Sequence, residues 1–123
     1  MQTILVVEDD ENQRKMIAEQ LSNEGFRAIG AEDGAQALDC IEQTHVDLVI
    51  LDVRMPGMDG METLGRILGR QKNIPVILHT AYSTYRDHFV AWAAEAYVTK
   101  KSDLVELKAK VHEIIQRRMK VAV

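Results

Sequence analysis

Short apolar runs alternate with helix-length amphipathic segments along the whole chain of 123 residues. The runs at 3–7, 26–30, 48–51, 75–79 and 96–99 are short and mostly rich in β-branched side chains, which predicts strands. Two of them, Ile4-Leu5-Val6-Val7 and Leu48-Val49-Ile50-Leu51, are apolar without interruption. That is the pattern of a strand covered on both faces in a parallel sheet.

Helical spacing recurs between the runs. Met16, Ile17 and Leu21 make an apolar stripe over 12–23, and Gly25 is placed to end that helix. Asp33 is a candidate N-cap for a second helix carrying Ala37, Leu38 and Ile41. Met61, Leu64, Ile67 and Leu68 share one side of a third, which follows Asp59-Gly60. A fourth is predicted over 84–93. The last begins at a Ser102 cap, carries Leu104, Leu107, Val111, Ile114 and Ile115 at 3.6-residue spacing, and ends in Arg117, Arg118 and Lys120, which suit the negative pole of a helix. Parallel strands need crossovers, and those crossovers are right-handed. Five β-α units with short links therefore predict an α/β, doubly wound domain over 1–123, with no linker or internal repeat.

The chemistry gathers at strand ends. Asp52 closes the run that starts at Asp47 and opens the turn Val53-Arg54-Met55-Pro56-Gly57-Met58-Asp59-Gly60. Its carboxylate is thereby expected at the carboxyl edge, where open α/β sheets bind their ligands. Glu8-Asp9-Asp10 follow the first run. In a doubly wound sheet the first and third strands can be neighbours where the strand order reverses, so Asp9 and Asp52 would be close. Two carboxylates about 5 Å apart repel by roughly 3 kcal/mol at an effective dielectric of 20, and Glu8 adds to this. Such a pocket calls for a cation. Hard oxygen ligands suit Mg²⁺ (or Mn²⁺), and an aspartate beside such a metal can attack phosphorus to form an aspartyl phosphate. Thr80 ends the fourth run and Lys100 the fifth, adding a hydroxyl donor and a positive charge for a phosphoryl group. Each group taken singly has an ordinary reading as a turn residue, a cap or a solvated side chain; four arriving at one edge favour the chemical one.

Composition narrows the classes further. Charged residues at 28% and hydrophobic ones at 46% suit a globular domain rather than a disordered chain. A net charge of −4 offers no general field for nucleic acid, and no DNA-binding element is expected within these residues. The lone cysteine, Cys40, lies beside Leu38 and Ile41 and reads as helix packing. No stretch reaches the length of a membrane span and no signal-peptide layout precedes the first strand, so a cytoplasmic location is expected. His45, His79, His88 and His112 lack the i, i+4 spacing of a helical metal site; His79, next to Thr80, stands nearest the chemistry.

Ile4 through Asp10, the 47–60 stretch, Thr80-Ala81 and Tyr97-Val98-Thr99-Lys100 together resemble, in order and over essentially the full chain, the receiver domains of bacterial two-component response regulators. The resemblance implies a flavodoxin-like (βα)5 fold with a five-stranded parallel sheet of order 2-1-3-4-5. It implies that Asp52 accepts a phosphoryl group from a sensor histidine kinase or phosphotransfer protein, and that Asp9 and Asp52 ligate Mg²⁺. Glu8 would act through a metal-bound water and Arg54 through its backbone carbonyl. Thr80 and Lys100 would bind phosphoryl oxygens, and Tyr97 would change rotamer with Thr80. The protein would be a signalling phosphoacceptor rather than an enzyme with its own substrate. Its readout would lie on the fourth helix, the fifth strand and the last helix, toward an output partner, an appended output domain or a phosphorylation-dependent dimer.

Two departures qualify the match. Lys101 stands where the family usually has proline joined by a cis bond; a cis bond before a non-proline residue costs about 3 kcal/mol, so this turn reads as trans, with Lys100 placed differently. The segment between Thr80 and Tyr97 is also short for the family, with Ala93 where glycine is common; it carries Tyr85, Phe89 and Trp92 near i, i+4 and i+7, a spacing commoner in cores than in interaction patches. These departures keep open an unphosphorylated interaction module with the same fold. A stand-alone phosphohydrolase fits less well, because Arg54 occupies the place of the second acid. A flavin protein would want a hydroxyl-rich loop after the first strand.

Overall fold

The structure is a computed structural model and describes residues 1–53, 60–71, 73–81 and 94–122. Within them run β1 (Thr3–Val7), α1 (Glu11–Asn23), β2 (Arg27–Ala31), α2 (Gly34–Gln43), β3 (Leu48–Leu51), α3 (Gly60–Arg70), β4 (Val76–Thr80), β5 (Ala96–Thr99) and α4 (Val105–Ala122). The strands form one parallel sheet in the order β2-β1-β3-β4-β5. The flavodoxin-like order expected from the sequence is the order found. The helix predicted over 84–93, with Tyr85, His88, Phe89, Trp92 and Ala93, lies outside the described residues.

Alternation along each strand divides the interior in two. Leu5, Val7, Val49, Leu51, Val76 and Leu78 turn to the side covered by α2 and α3, where Ala37, Leu38, Ile41, Leu64 and Ile67 meet them. Ile4, Val6, Leu48, Ile50 and Ile77 turn to the opposite side, against Ile17 and Leu21 of α1 and Leu107, Val111 and Ile114 of α4. Burial on both faces is why β1 and β3 are apolar at every position. Cys40 is half-buried and packs on the first of these cores, the packing role its neighbours suggested.

The helix ends follow their capping chemistry. Asp10 and Asp33 accept from the backbone N–H of Gln13 and Gln36, closing the first turns of α1 and α2. At the end of α1 the Phe26 N–H returns to Leu21 O and the Gly25 N–H to Ser22 O, with Gly25 at φ 94°. That left-handed turn is one glycine adopts without a Cβ penalty. It also explains why β2 starts at Arg27 and not at Phe26: the Phe26 N–H is already committed to the helix. Pro75 has no N–H to give and contributes only its carbonyl, to Val49 N, so β4 begins at Val76. The last helix begins at Val105 rather than near Ser102, because Asp103 Oδ1 is the acceptor for the Val105 N–H and Leu104 O for Lys108 N. Its basic end ties it to the sheet, with Arg118 and Arg117 both paired to Glu95 just ahead of β5.

Gly60 lies against the backbone of Asp52 and Val53. Its N–H donates to Val53 O at 2.8 Å, and a Cβ there would run into the Val53 Cα and stand 2.6 Å from Asp52 O. Those neighbours are backbone atoms and cannot yield cheaply. Gly60→Ala is therefore expected to lower the unfolding free energy by about 2 kcal/mol. Gly65→Ala, in the same helix with nothing within 4 Å of the added carbon, should raise it by up to about 1 kcal/mol. Urea denaturation of the two variants checks the pair.

Candidate functional site

Three strand ends deliver the polar groups. β1 and β3 are adjacent, with Val7 level with Leu51, so Glu8 and Asp52 leave the sheet side by side. Their backbones stay tied to the ladder, Glu8 N to Ala31 O at 3.0 Å and Asp52 N to Val7 O at 3.0 Å. The carboxylates of Glu8, Asp9 and Asp52 offer oxygens that all lie within 4.8 Å of one another. Glu8 and Asp52 are buried, while Asp9 is exposed at the mouth.

Lys100 arrives from β5. Its backbone N–H bonds Thr80 O at 2.8 Å, and its side chain crosses the end of β4 to the acids. Nζ lies 2.5 Å from Glu8 Oε1, 2.8 Å from Asp52 Oδ2 and 2.8 Å from Gln13 Oε1. No peptide bond among the described residues is cis, so the Lys100–Lys101 bond is trans as expected. The companion expectation, that Lys100 would be placed differently, is not met in one respect: its ammonium still lies on the Asp52 carboxylate.

The charges respond to this crowding. Burial, reinforced by the Asp52 charge, raises the Glu8 carboxyl to about 7 although the Lys100 hydrogen bond pulls the other way. Burial opposes the Lys100 ammonium, but its bonds to Asp52 and Glu8 outweigh that and carry its pKa above the ordinary lysine value. His79 is 4% exposed, and burial together with the Lys100 charge holds its imidazole down at about 4.

Thr80 is fully buried at the end of β4, level with Thr99, and Tyr97 is half-buried against the core on the α2–α3 side. The structure thus brings Glu8, Asp9, Asp52 and Lys100 together and sets Thr80 and Tyr97 on the two strands beside them. Arg54 lies outside the described residues. Sequence reasoning missed Gln13. The available signal was Asp10-x-x-Gln13, the spacing of a capping box, in which the glutamine would return to the cap's own N–H. Here that N–H goes to Glu8 Oε2 at 3.2 Å, and the Gln13 carbonyl turns to Lys100.

A parallel sheet of order 2-1-3-4-5 whose first, third and fifth strands end in acid, acid and lysine defines a class of α/β domain with an acidic pocket at the carboxyl edge. The sequence profile of the response regulator receiver domain matches residues 4–112, and the chain belongs to that family. The Escherichia coli regulatory protein AtoC is 36% identical over 92% of this chain and 25% of its own length. The E. coli transcriptional regulatory protein CpxR is 37% identical over 95% of this chain and 50% of its own. The chain thus spans between a quarter and about half of these curated relatives. Among solved structures, the Thermotoga maritima response regulator TrrA in complex with Mg²⁺-BeF is 44% identical, with a TM-score of 0.89 over 92% of this chain and 98% of that one. TrrA has also been solved with the histidine kinase ThkA, at a TM-score of 0.86.

Two titrations at this edge have opposite signs. The His79 pKa is depressed from 6.5 to about 4, so its contribution to stability is present above pH 6.5 and is lost as pH falls toward 4. The Glu8 pKa is raised from 4.5 to about 7, so its contribution is present below pH 4.5 and is lost as pH rises toward 7. Each is worth about 3 kcal/mol over its range, and between pH 4.5 and 6.5 the slopes oppose. Without metal, the wild-type melting temperature should therefore vary less with pH across that window than either group alone would make it. Glu8→Gln removes one slope and should leave a melting temperature that climbs with pH, as thermal melts at pH 4.5, 5.5 and 6.5 would reveal.

Proposed function

We propose that this protein is a phosphoryl-accepting receiver: Asp52 takes the group from a phosphohistidine donor in a cation-dependent reaction, and the phosphorylated form favours a different surface. The observation that carries the reading is the 2.8 Å pair between Lys100 Nζ and Asp52 Oδ2 inside the three-carboxylate cluster.

The donor set fits a hard divalent cation. Three carboxylates and one ammonium leave a formal charge of −2 when all are ionised, which a divalent ion neutralises, and exposed Asp9 leaves room for the waters such an ion retains. Mg²⁺ or Mn²⁺ would be held by Asp9, Asp52, Glu8 through a water and the Arg54 carbonyl, and would neutralise charge on the phosphoryl oxygens in the transition state.

The chain's own groups do the rest. An Asp52 carboxylate oxygen forms the new O–P bond as the donor's N–P bond breaks, with the bonding pair remaining on the imidazole nitrogen. Lys100, already held at that carboxylate, is placed to transfer one of its hydrogen bonds to a phosphoryl oxygen. The Thr80 hydroxyl, on the neighbouring strand, can donate to another. Their approach biases the protein toward the phosphorylated conformation, and a rotamer change of Tyr97 on β5 would carry the bias outward. The proposed donor is a histidine kinase or a phosphotransfer protein, supported by the TrrA–ThkA complex, and the proposed location is the cytoplasm. Among the described residues no helix is long and apolar enough to cross a membrane. Output through a partner, an appended domain or a phosphorylation-dependent dimer accords with relatives that are regulatory proteins.

Incubation with acetyl phosphate and Mg²⁺, followed by intact mass, tests the reading. The expected result is one added phosphoryl group in the wild type and none in Asp52→Asn. Absence of label in the wild type would instead favour the unphosphorylated interaction module. Cation binding is checked separately: millimolar Mg²⁺ should raise the melting temperature, and Asp9→Ala should abolish the rise.

A further inference from the structure

Of the three oxygens around the Lys100 ammonium, two belong to the acids proposed to take the metal and the phosphoryl group. The third, Gln13 Oε1 at 2.8 Å, belongs to neither. An ammonium has three hydrogens and no acceptor, so Glu8, Asp52 and Gln13 together saturate it, and the contacting atom of the amide must be its oxygen. Gln13 does not reach this position by chance of rotamer alone. It lies in the first turn of α1, and its own N–H is fixed by the Asp10 side chain at 2.9 Å. The Asp10 N–H that a capping-box glutamine would take is occupied by Glu8 Oε2. The amide is thereby left to face the pocket.

Building on the receiver reading, we propose that Gln13 is a positioning residue for phosphoryl transfer: it tethers the Lys100 ammonium from helix α1 while the carboxylates on either side change partners. With Glu8 and Asp52 committed to a cation and the new O–P bond formed at Asp52, the ammonium would exchange a carboxylate oxygen for a phosphoryl oxygen. The neutral Gln13 acceptor need not change in either step, so it keeps Nζ over the pocket through the exchange. The tether matters here because Lys101 follows Lys100 in a trans linkage, without a proline ring to restrict the turn.

Gln13→Met keeps the length of the side chain and the helix cap but removes the acceptor. At saturating acetyl phosphate and Mg²⁺ it should take up the phosphoryl group about tenfold more slowly than wild type, the loss expected of one hydrogen bond to a charged group. Its Mg²⁺ affinity, read from the melting-temperature rise, should remain within about twofold, because the acids are untouched. Gln13→Glu, with an acceptor oxygen at the same reach, should recover most of the rate. Wild-type uptake in Gln13→Met, an equal defect in both variants, or a parallel loss of Mg²⁺ affinity would each overturn the proposal. Exchange of the Lys100 Nζ hydrogens with water, followed by nitrogen-15 NMR on unphosphorylated protein, separates this idea from the receiver reading. It should quicken severalfold in Gln13→Met whether or not Asp52 can be phosphorylated, and unchanged exchange would defeat the tether even if the wild type labels normally.

Discussion

Burying Glu8 and Asp52 side by side is unfavourable unless a cation stands between them, and in this molecule that cation is the ammonium of Lys100. At 17% exposure for its side chain, against 3% and 9% for the two acids, the pairing is screened far less than a surface ion pair. Its worth is nevertheless not a simple gain in stability. The raised pKa of Glu8 shows that one ammonium does not fully compensate two buried carboxylates. A further cation would relieve that cost, which is the physical basis of the proposed cation dependence.

The fold concentrates that demand. β1 and β3 are neighbours because the strand order reverses between them, so acids more than forty residues apart in sequence leave the sheet at one level. Apolar side chains on both faces hold the strand ends rigidly, and the polar groups begin where the apolar runs stop. Stability and reactivity thus occupy different stretches of the same strands. A residue one place further back, such as Val7 or Leu51, can serve packing alone.

The parts legible in the sequence were those set by local periodicity and capping. Uninterrupted apolar runs located β1 and β3, and Asp33 and Gly25 marked helix ends correctly because each satisfies backbone groups within its own turn. Boundaries at Phe26, Pro75 and Ser102 shifted where a single N–H was committed elsewhere, missing, or capped by the adjacent Asp103. The convergence of Glu8, Asp9 and Asp52 followed from topology. The bond from Lys100 to Glu8, 92 positions apart, and the diversion of Gln13 could not, since both depend on which acceptor a long side chain finds after the elements have packed.

The same reasoning explains why Lys101, standing where the resemblance led one to expect proline, leaves Lys100 on the Asp52 carboxylate. Proline constrains a turn through the backbone, but the backbone of Lys100 is already fixed here by its N–H to Thr80 O, which extends the β4–β5 ladder by one bond. From that point the side chain has only to span the end of β4, and three acceptors define where its ammonium stops. Restraint has moved from the peptide following the lysine to the groups around its charge. Lys101 itself pairs with Glu106 on α4. A turn held in this way depends on its acceptors, and a change in their protonation or ligation reaches Lys100 directly.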